Sequence, residues 1–402
     1  MKKIKIVQIN ATCGKGSTGK ICVDISQMLS ERNVENYILY TGAPSNYPLG
    51  ICYATKKQIK AEAIRSHING YYGFNSGRLT NVLLCQLDEI KPDIVHLHNL
   101  HGHNCNLEML LNYLKEHHIK VFWTFHDCWA FTAYCPHFTM AKCEKWKTGC
   151  KACPQYREYS FFFDRSAKLY QRKRDLLKGL DLTIITPSQW LAKLVKQSFL
   201  QTYPVTVINN GIDLTVFKPT PSDFRKQHKI SHDQFIILGV AFDWSRKKGL
   251  DVFVELASQL DPKRYRIVLV GTNERIDRIL PSQIISIHRT SNQKELAEIY
   301  TSADLFVNPT REENYPTVNM EAIACSTPVL TYETGGSTEI LDEKTGAVVN
   351  SNDINALIQE IICICEDRPY EKESFLFKAP EFEQKQRLLE YGRVYGIDNK
   401  EE

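Results

Sequence analysis

The stretch DLFVNPTREENYPTVNMEAIACSTPVLTYE, Asp304 to Glu333, decides the fold. An apolar run ends at Pro309 and a polar loop follows. A small-residue helical segment then opens near Thr317, and a second apolar run begins after Pro328. Strand, helix and strand within so short a span make a parallel crossover unit. The loop carries Glu313 beside a proline, and Glu321 follows eight residues on. A helix cap at Thr317 and a favourable dipole explain Glu321 weakly and Glu313 hardly at all. The pair therefore points to a ligand.

The same alternation runs outward in both directions. KIKIVQI, a helix from Lys20, NYILYTG, DIVHLHN, VFWTFHD and LTIITPS form one series. FIILGVA, a helix from about Leu250, YRIVLVG, DLFVNPT, a helix and PVLTYET form another. Between them, VINNGIDLTVFKPTPSD has the Asn-Gly and prolines of a connector. The expectation is α/β: two Rossmann-like doubly wound domains facing a central cleft, residues 1–208 and 209–380. A terminal helix over about 381–400 is expected to pack back on the first domain. Ligands of such sheets bind beyond the carboxyl ends of the strands.

Composition fits this reading. With 43% apolar and 24% charged residues, 402 residues can bury two cores. No apolar run approaches the roughly 18–20 residues that span a bilayer. MKKIKIVQIN reads as a first strand rather than a signal peptide, giving a cytoplasmic expectation. Residues 1–208 hold 27 Lys+Arg against 15 Asp+Glu, and residues 209–402 hold 23 against 31. A basic first half suits an anionic partner. No nucleic-acid recognition module is present, so a membrane surface or phosphorylated substrate is the expected partner.

CGKGSTGK (Cys13 to Lys20) has G-x-G-x-x-G spacing and nearly spells a P-loop. Ile21 stands where a P-loop needs Ser or Thr, and the second strand ends Tyr40-Thr41-Gly42, without the acid of a dinucleotide site. What survives is an anion-accepting turn around Gly16 or a plain tight turn. TFHDCWAF sets His126 and Asp127 at a strand end, where a ligand contact and a structural histidine both fit. Arg246, Lys247 and Lys248 follow the second series' first strand and either neutralise a diphosphate or form a solvated loop.

Five of thirteen cysteines fall within residues 128–153. Cys150-x-x-Cys153, with Cys143 and Cys135, has the spacing of a structural zinc site; free buried thiols are the alternative. YSFFFDRSAKLYQRKRDLLKGL joins aromatics to a basic helix, either packed on its domain or facing a membrane.

Taken together, these motifs resemble the retaining GT-B glycosyltransferases of family 4, which build bacterial capsules, exopolysaccharides and O-antigens. ENYPTVNME matches that family's E-x7-E motif, VINNGIDLTVF its interdomain segment and TPSQWLAKLVKQS its P-S-x-W-L stretch. TFHD resembles its cleft-histidine motif, and the Cys-rich insert is similar to that of a subset of polysaccharide transferases. Two departures stand out: Glu313-Asn314-Tyr315-Pro316 replaces E-G-F-G, and Gly239-Val240 replaces Gly-Arg, leaving phosphate contact to Arg246, Lys247 or Lys248. The resemblance implies that Glu313 and His126 serve the transferred sugar, that Glu321 holds the ribose, and that Asn314, Tyr315, Pro316 and Thr317 line the donor. It implies no catalytic metal. The expected activity moves a sugar from a nucleotide-diphosphate sugar to a lipid-linked polysaccharide precursor, with peripheral contact to an anionic membrane at the inner face. A nucleotide-sugar isomerase or epimerase and a hydrolase on the same fold are the alternatives.

Overall fold

The computed structural model describes residues 4–397. The first three residues of the opening segment and the last of the terminal one lie outside them.

Two compact units form. One runs to Ile208 and resumes at Leu388; the other is Asn209–Arg387. The first holds seven strands: β1 (Lys5–Ile9), β2 (Glu35–Gly42), β3 (Gly50–Thr55), β4 (Ile94–Leu97), β5 (Lys120–Thr124), β6 (Leu182–Thr186) and β7 (Val205–Val207). They lie in the order β3-β2-β1-β4-β5-β6-β7, every pair parallel. The second unit repeats the plan with β8 (Phe235–Val240), β9 (Tyr265–Val270), β10 (Ile285–Ile287), β11 (Leu305–Asn308), β12 (Val329–Tyr332) and β13 (Gly346–Val349). Their order is β10-β9-β8-β11-β12-β13, again all parallel.

Helices cover both faces, so the inner strands are largely apolar rather than alternating. Ile236 and Leu238 of β8 join one buried cluster and Ile237 the other, as a pleat of period two requires. The first helix spans Gly16–Glu31 and so begins before Lys20. Gly14 and Gly16, at φ 68° and 67°, turn the chain directly from β1 into it.

The return to the first unit begins at Leu388 rather than near residue 381. Hydrogen bonds hold the preceding residues on the second unit. Ile212 N donates to Phe382 O at 2.8 Å, and Gln384 N donates to Ile212 O at 3.0 Å. Farther along the helix Gln384–Tyr395, Tyr391 and Tyr395 are buried with Ile6, Leu29, Phe122 and Ile185. Tyr395 Oη lies 2.5 Å from His96 Nδ1, and the other ring nitrogen of His96 lies 2.8 Å from Thr124 Oγ1. Burial pushes His96 down to about 3.

Tyr395→Phe leaves a fully buried ring nitrogen without that partner. The expected cost is about 1–3 kcal/mol, read as a lower denaturation midpoint for the first unit; an unchanged midpoint removes the anchoring role of this bond.

Candidate functional site

In the second sheet the strand order reverses between β8 and β11, and the crevice of a doubly wound sheet opens there. Beyond β8, a single turn at Arg246–Lys248 leads through Gly249 into the helix Leu250–Gln259. Beyond β11, the loop from Pro309 to Pro316 leads into the helix Thr317–Ala324. The two loops are fastened together. Arg311 N donates to Lys247 O at 2.8 Å, Arg311 Nη1 donates to Arg246 O at 2.6 Å, and its guanidinium forks onto Asp251 at 2.7 and 3.0 Å.

Within this frame Lys248 Nζ lies 2.6 Å from Glu313 Oε2, both side chains partly exposed. Glu313 Oε1 accepts from Asn314 N at 3.0 Å. The backbone behind it admits only glycine: a Cβ on Gly335, at φ 58°, would stand 1.9 Å from Glu313 O. The three cations read together from sequence separate here. Lys248 meets Glu313; Lys247 lies 3.2 Å from the carboxylate of Glu312, whose side chain is buried; Arg246 projects outward, 3.9 Å from Asp251.

Thr317 is the first helical residue rather than the cap. Pro316 takes the cap position, without a side-chain hydrogen bond. Glu321 sits inside this helix, and the buried Tyr300 hydroxyl donates to its Oε2 at 3.1 Å. Nothing in the sequence pattern marked Tyr300 as its partner. Asn314 and Tyr315 are buried, and Tyr315 O accepts from Asn210 Nδ2 at 3.3 Å.

In the first unit Gly16 opens its helix, and a Cβ there would meet nothing within 4 Å. His126, just beyond β5, stacks on His98 with ring centroids 5.4 Å apart and a nitrogen–nitrogen distance of 3.1 Å. His98 in turn lies 3.1 Å from Gln8 Oε1. Burial pushes His126 down to about 4, so the ring is neutral near pH 7. Beside it His101 Nε2 and Asp127 Oδ2 are 2.8 Å apart, and Asp127 Oδ1 accepts from Trp129 N at 2.9 Å. Burial works to raise Asp127, but the His101 partnership outweighs it and leaves the carboxyl at about 2. Sequence reading missed His98 and His101. The signal lay in HLHNLHGH, where β4 and its following loop carry four histidines.

Cys135, Cys143, Cys150 and Cys153 line one small cavity with Phe138 and Trp146. Burial raises Cys135 to about 12 and Cys150 to about 11, so as free thiols they are protonated. The donor set is that of zinc. As placed, however, no three His, Cys, Asp or Glu side chains among the described residues are grouped as a metal's ligands.

Comparison with known proteins agrees with this architecture. Residues 18–216 match the family model described as Glycosyltransferase Family 4, and residues 233–367 match Glycosyl transferases group 1. A putative colanic acid biosynthesis glycosyl transferase of Escherichia coli K12 is 23% identical over 376 residues, covering 89% of this chain and 90% of its own. The sucrose-phosphate synthase of Thermosynechococcus elongatus superposes with TM-score 0.71 at 17% identity over 98% of both chains. Anabaena HepE, solved in complex with UDP-glucose, gives 0.67 at 15% identity over 98% of this chain and 99% of its own.

The histidines set an acid limit. His126 stays neutral in the fold down to about 4 but takes its proton at the ordinary 6.5 when unfolded. Between those values the unfolded chain binds more protons, so stability falls as pH falls. His96 and His98 act in the same direction. Denaturation midpoints measured across that window should drop steadily, and His126→Gln should flatten the curve by about one proton's worth. An unchanged slope in the variant contradicts the assignment.

Proposed function

We propose, from the premise that this chain is a glycosyltransferase of the two-domain GT-B fold, that it moves a sugar from a nucleotide-diphosphate donor to a lipid-linked polysaccharide precursor, with retention at the anomeric carbon. The Lys248–Glu313 pair carries the reading. A fixed cation and a carboxylate 2.6 Å apart, at the carboxyl ends of β8 and β11, match the two halves of a sugar diphosphate. Lys248 takes phosphate charge, and Glu313 accepts hydrogen bonds from sugar hydroxyls. Arg246 and the amides opening the helix Thr317–Ala324 add to the positive field around the leaving diphosphate. Glu321, oriented by Tyr300, holds the ribose. His126, neutral at working pH, meets the transferred sugar.

One relative is described as a putative colanic acid biosynthesis glycosyl transferase, and the structural neighbour HepE was solved with UDP-glucose; both support this choice. The polysaccharide setting makes a lipid carrier the natural acceptor and an anionic membrane face the natural workplace. Among the described residues no helix is long and apolar enough to cross a membrane.

Glu313→Ala and Lys248→Ala should each lower kcat/KM at least about a hundredfold with little change in unfolding midpoint, since a part-exposed ion pair adds roughly 0–1 kcal/mol. The assay is transfer from nucleotide sugars to lipid-linked acceptor. Most activity remaining in either folded variant would remove this site. Lys247→Ala is the contrasting change: it takes a partner from the buried Glu312, so it should lower stability as well.

A zinc ion held by Cys135, Cys143, Cys150 and Cys153 belongs to the same proposal, as a structural staple for the insert. Binding it requires the four thiols lining the cavity to draw together and lose their protons. Freshly purified, reduced protein should then contain about one zinc per chain, and strong chelation should loosen the insert. No bound metal, with the thiols freely reactive, removes the zinc without touching the transferase assignment.

A further inference from the structure

Phe161, Phe162 and Phe163 are consecutive and lie 61%, 67% and 49% exposed. Three neighbouring aromatic rings left in water mark an interaction surface. The loop that carries them is held in place. Phe161 N donates to His67 O at 2.7 Å, Phe163 N to Ser160 Oγ at 3.2 Å, and Arg165 Nε to Asn69 O at 2.6 Å. The Arg165 guanidinium lies over the rings of Tyr71 and Phe163, at 4.4 and 4.8 Å. Gly70, at φ 73°, closes the seat: a Cβ there would stand 3.0 Å from both Phe163 O and Ser160 Oγ. A backbone fixed at these points holds the loop, and the three rings with it, at the surface.

The element to which the loop is fastened is the helix Lys56–Asn69. Its outer face carries Ile64 and Ile68, 61% and 49% exposed, and the exposed Lys57, Lys60 and Arg65. Arg157 and Lys168 are exposed on either side of the phenylalanines. Of the nearby acids, Asp164 is engaged by Cys153 N and Ser166 N, and Glu158 is exposed. The buried Glu62 accepts from Ser76 N and pairs with Arg65 at 3.4 Å, which leaves Lys57 and Lys60 as the main cations of this helix. The surface is apolar at its tip and cationic around it.

Of the aromatic and basic stretch Tyr159–Lys178 expected to face a membrane, the helix Ser166–Leu177 is packed on its unit. Leu169, Tyr170 and Leu177 are buried, and Lys173 points inward, donating to Trp129 O at 2.7 Å and Thr132 O at 3.0 Å.

We propose that Phe161–Phe163, with Ile64 and Ile68 and their rim of lysines and arginines, docks on an anionic phospholipid bilayer, the rings entering the interface and the cations staying at the headgroups. This deepens the lipid-linked acceptor reading and rests on it for its purpose, whereas its measurement needs no acceptor. Charge complementarity selects this occupant: a second copy would bring the same cations together.

The experiment is flotation of the full chain with phosphatidylcholine vesicles, with and without phosphatidylglycerol, at low and high salt. The chain should float with the anionic vesicles and bind progressively less as salt rises. Lys57→Glu and Lys60→Glu should each weaken partitioning about fivefold or more. The triple change Phe161→Ser, Phe162→Ser and Phe163→Ser should weaken it at least about tenfold, leaving donor turnover with a soluble acceptor and the unfolding midpoint unchanged. Absent flotation, equal binding to neutral vesicles, or full binding by the triple variant overturns the proposal. So does a concentration-dependent dimer that the triple change abolishes without any vesicle binding. Loss of transfer in wild-type protein that still floats would count against the acceptor reading alone.

Discussion

A parallel strand covered by helices on both faces has no free side; only its ends are open. The inner strands of both sheets obey that constraint, and most of the chemistry follows from it. Side chains along β1, β8 or β11 are committed to packing, so polar work falls to the first residues beyond the carboxyl ends. Lys248, Glu313 and His126 all occupy such positions. The glycines at 249 and 335 serve the same geometry. One lets the cationic turn lie against Pro309, and the other lets a backbone pass directly behind Glu313.

The constraint also explains what could be read in advance. Long apolar runs flanked by turn residues, such as YRIVLVG and NYILYTG, are legible because strands buried on both faces have no polar alternation to interrupt them. The strands that escaped notice are β3, β7, β10 and β13. β7 and β10 have only three residues each, and β3 includes Gly50 and the exposed Cys52. These are edge strands, paired on one side, where the sequence need not be uniformly apolar.

At the candidate site, proximity in sequence proved a poor guide to proximity in space. Arg246, Lys247 and Lys248 look alike as a run, but a single turn sends them in three directions, and Lys247 faces the buried Glu312. Thr317 has the chemistry of a cap, yet Pro316, with an extended ψ of 117°, takes the cap position and leaves Thr317 as the first helical residue. The histidine ladder His96–His98–His126 was out of reach for a different reason. It is built across two strands by their register, where His96 pairs with Phe122 and Leu97 with Trp123, and no local window contains both strands.

The terminal helix carries a consequence for synthesis. The first unit is interrupted: it stops at Ile208 and is completed only from Leu388 onward, so the whole second unit is in effect an insertion within it. A ribosome delivers the seven strands of the first sheet early. The tyrosines that cover Ile6, Phe122 and Ile185 and satisfy His96 emerge only after the second unit. Until they arrive, one face of the sheet is covered only in part, by Ile25, Met28 and Leu29 of the first helix, and the second unit must be made while the rest of it waits. The chain thus has a built-in interval in which part of its first unit's core is uncovered, closed by a single helix.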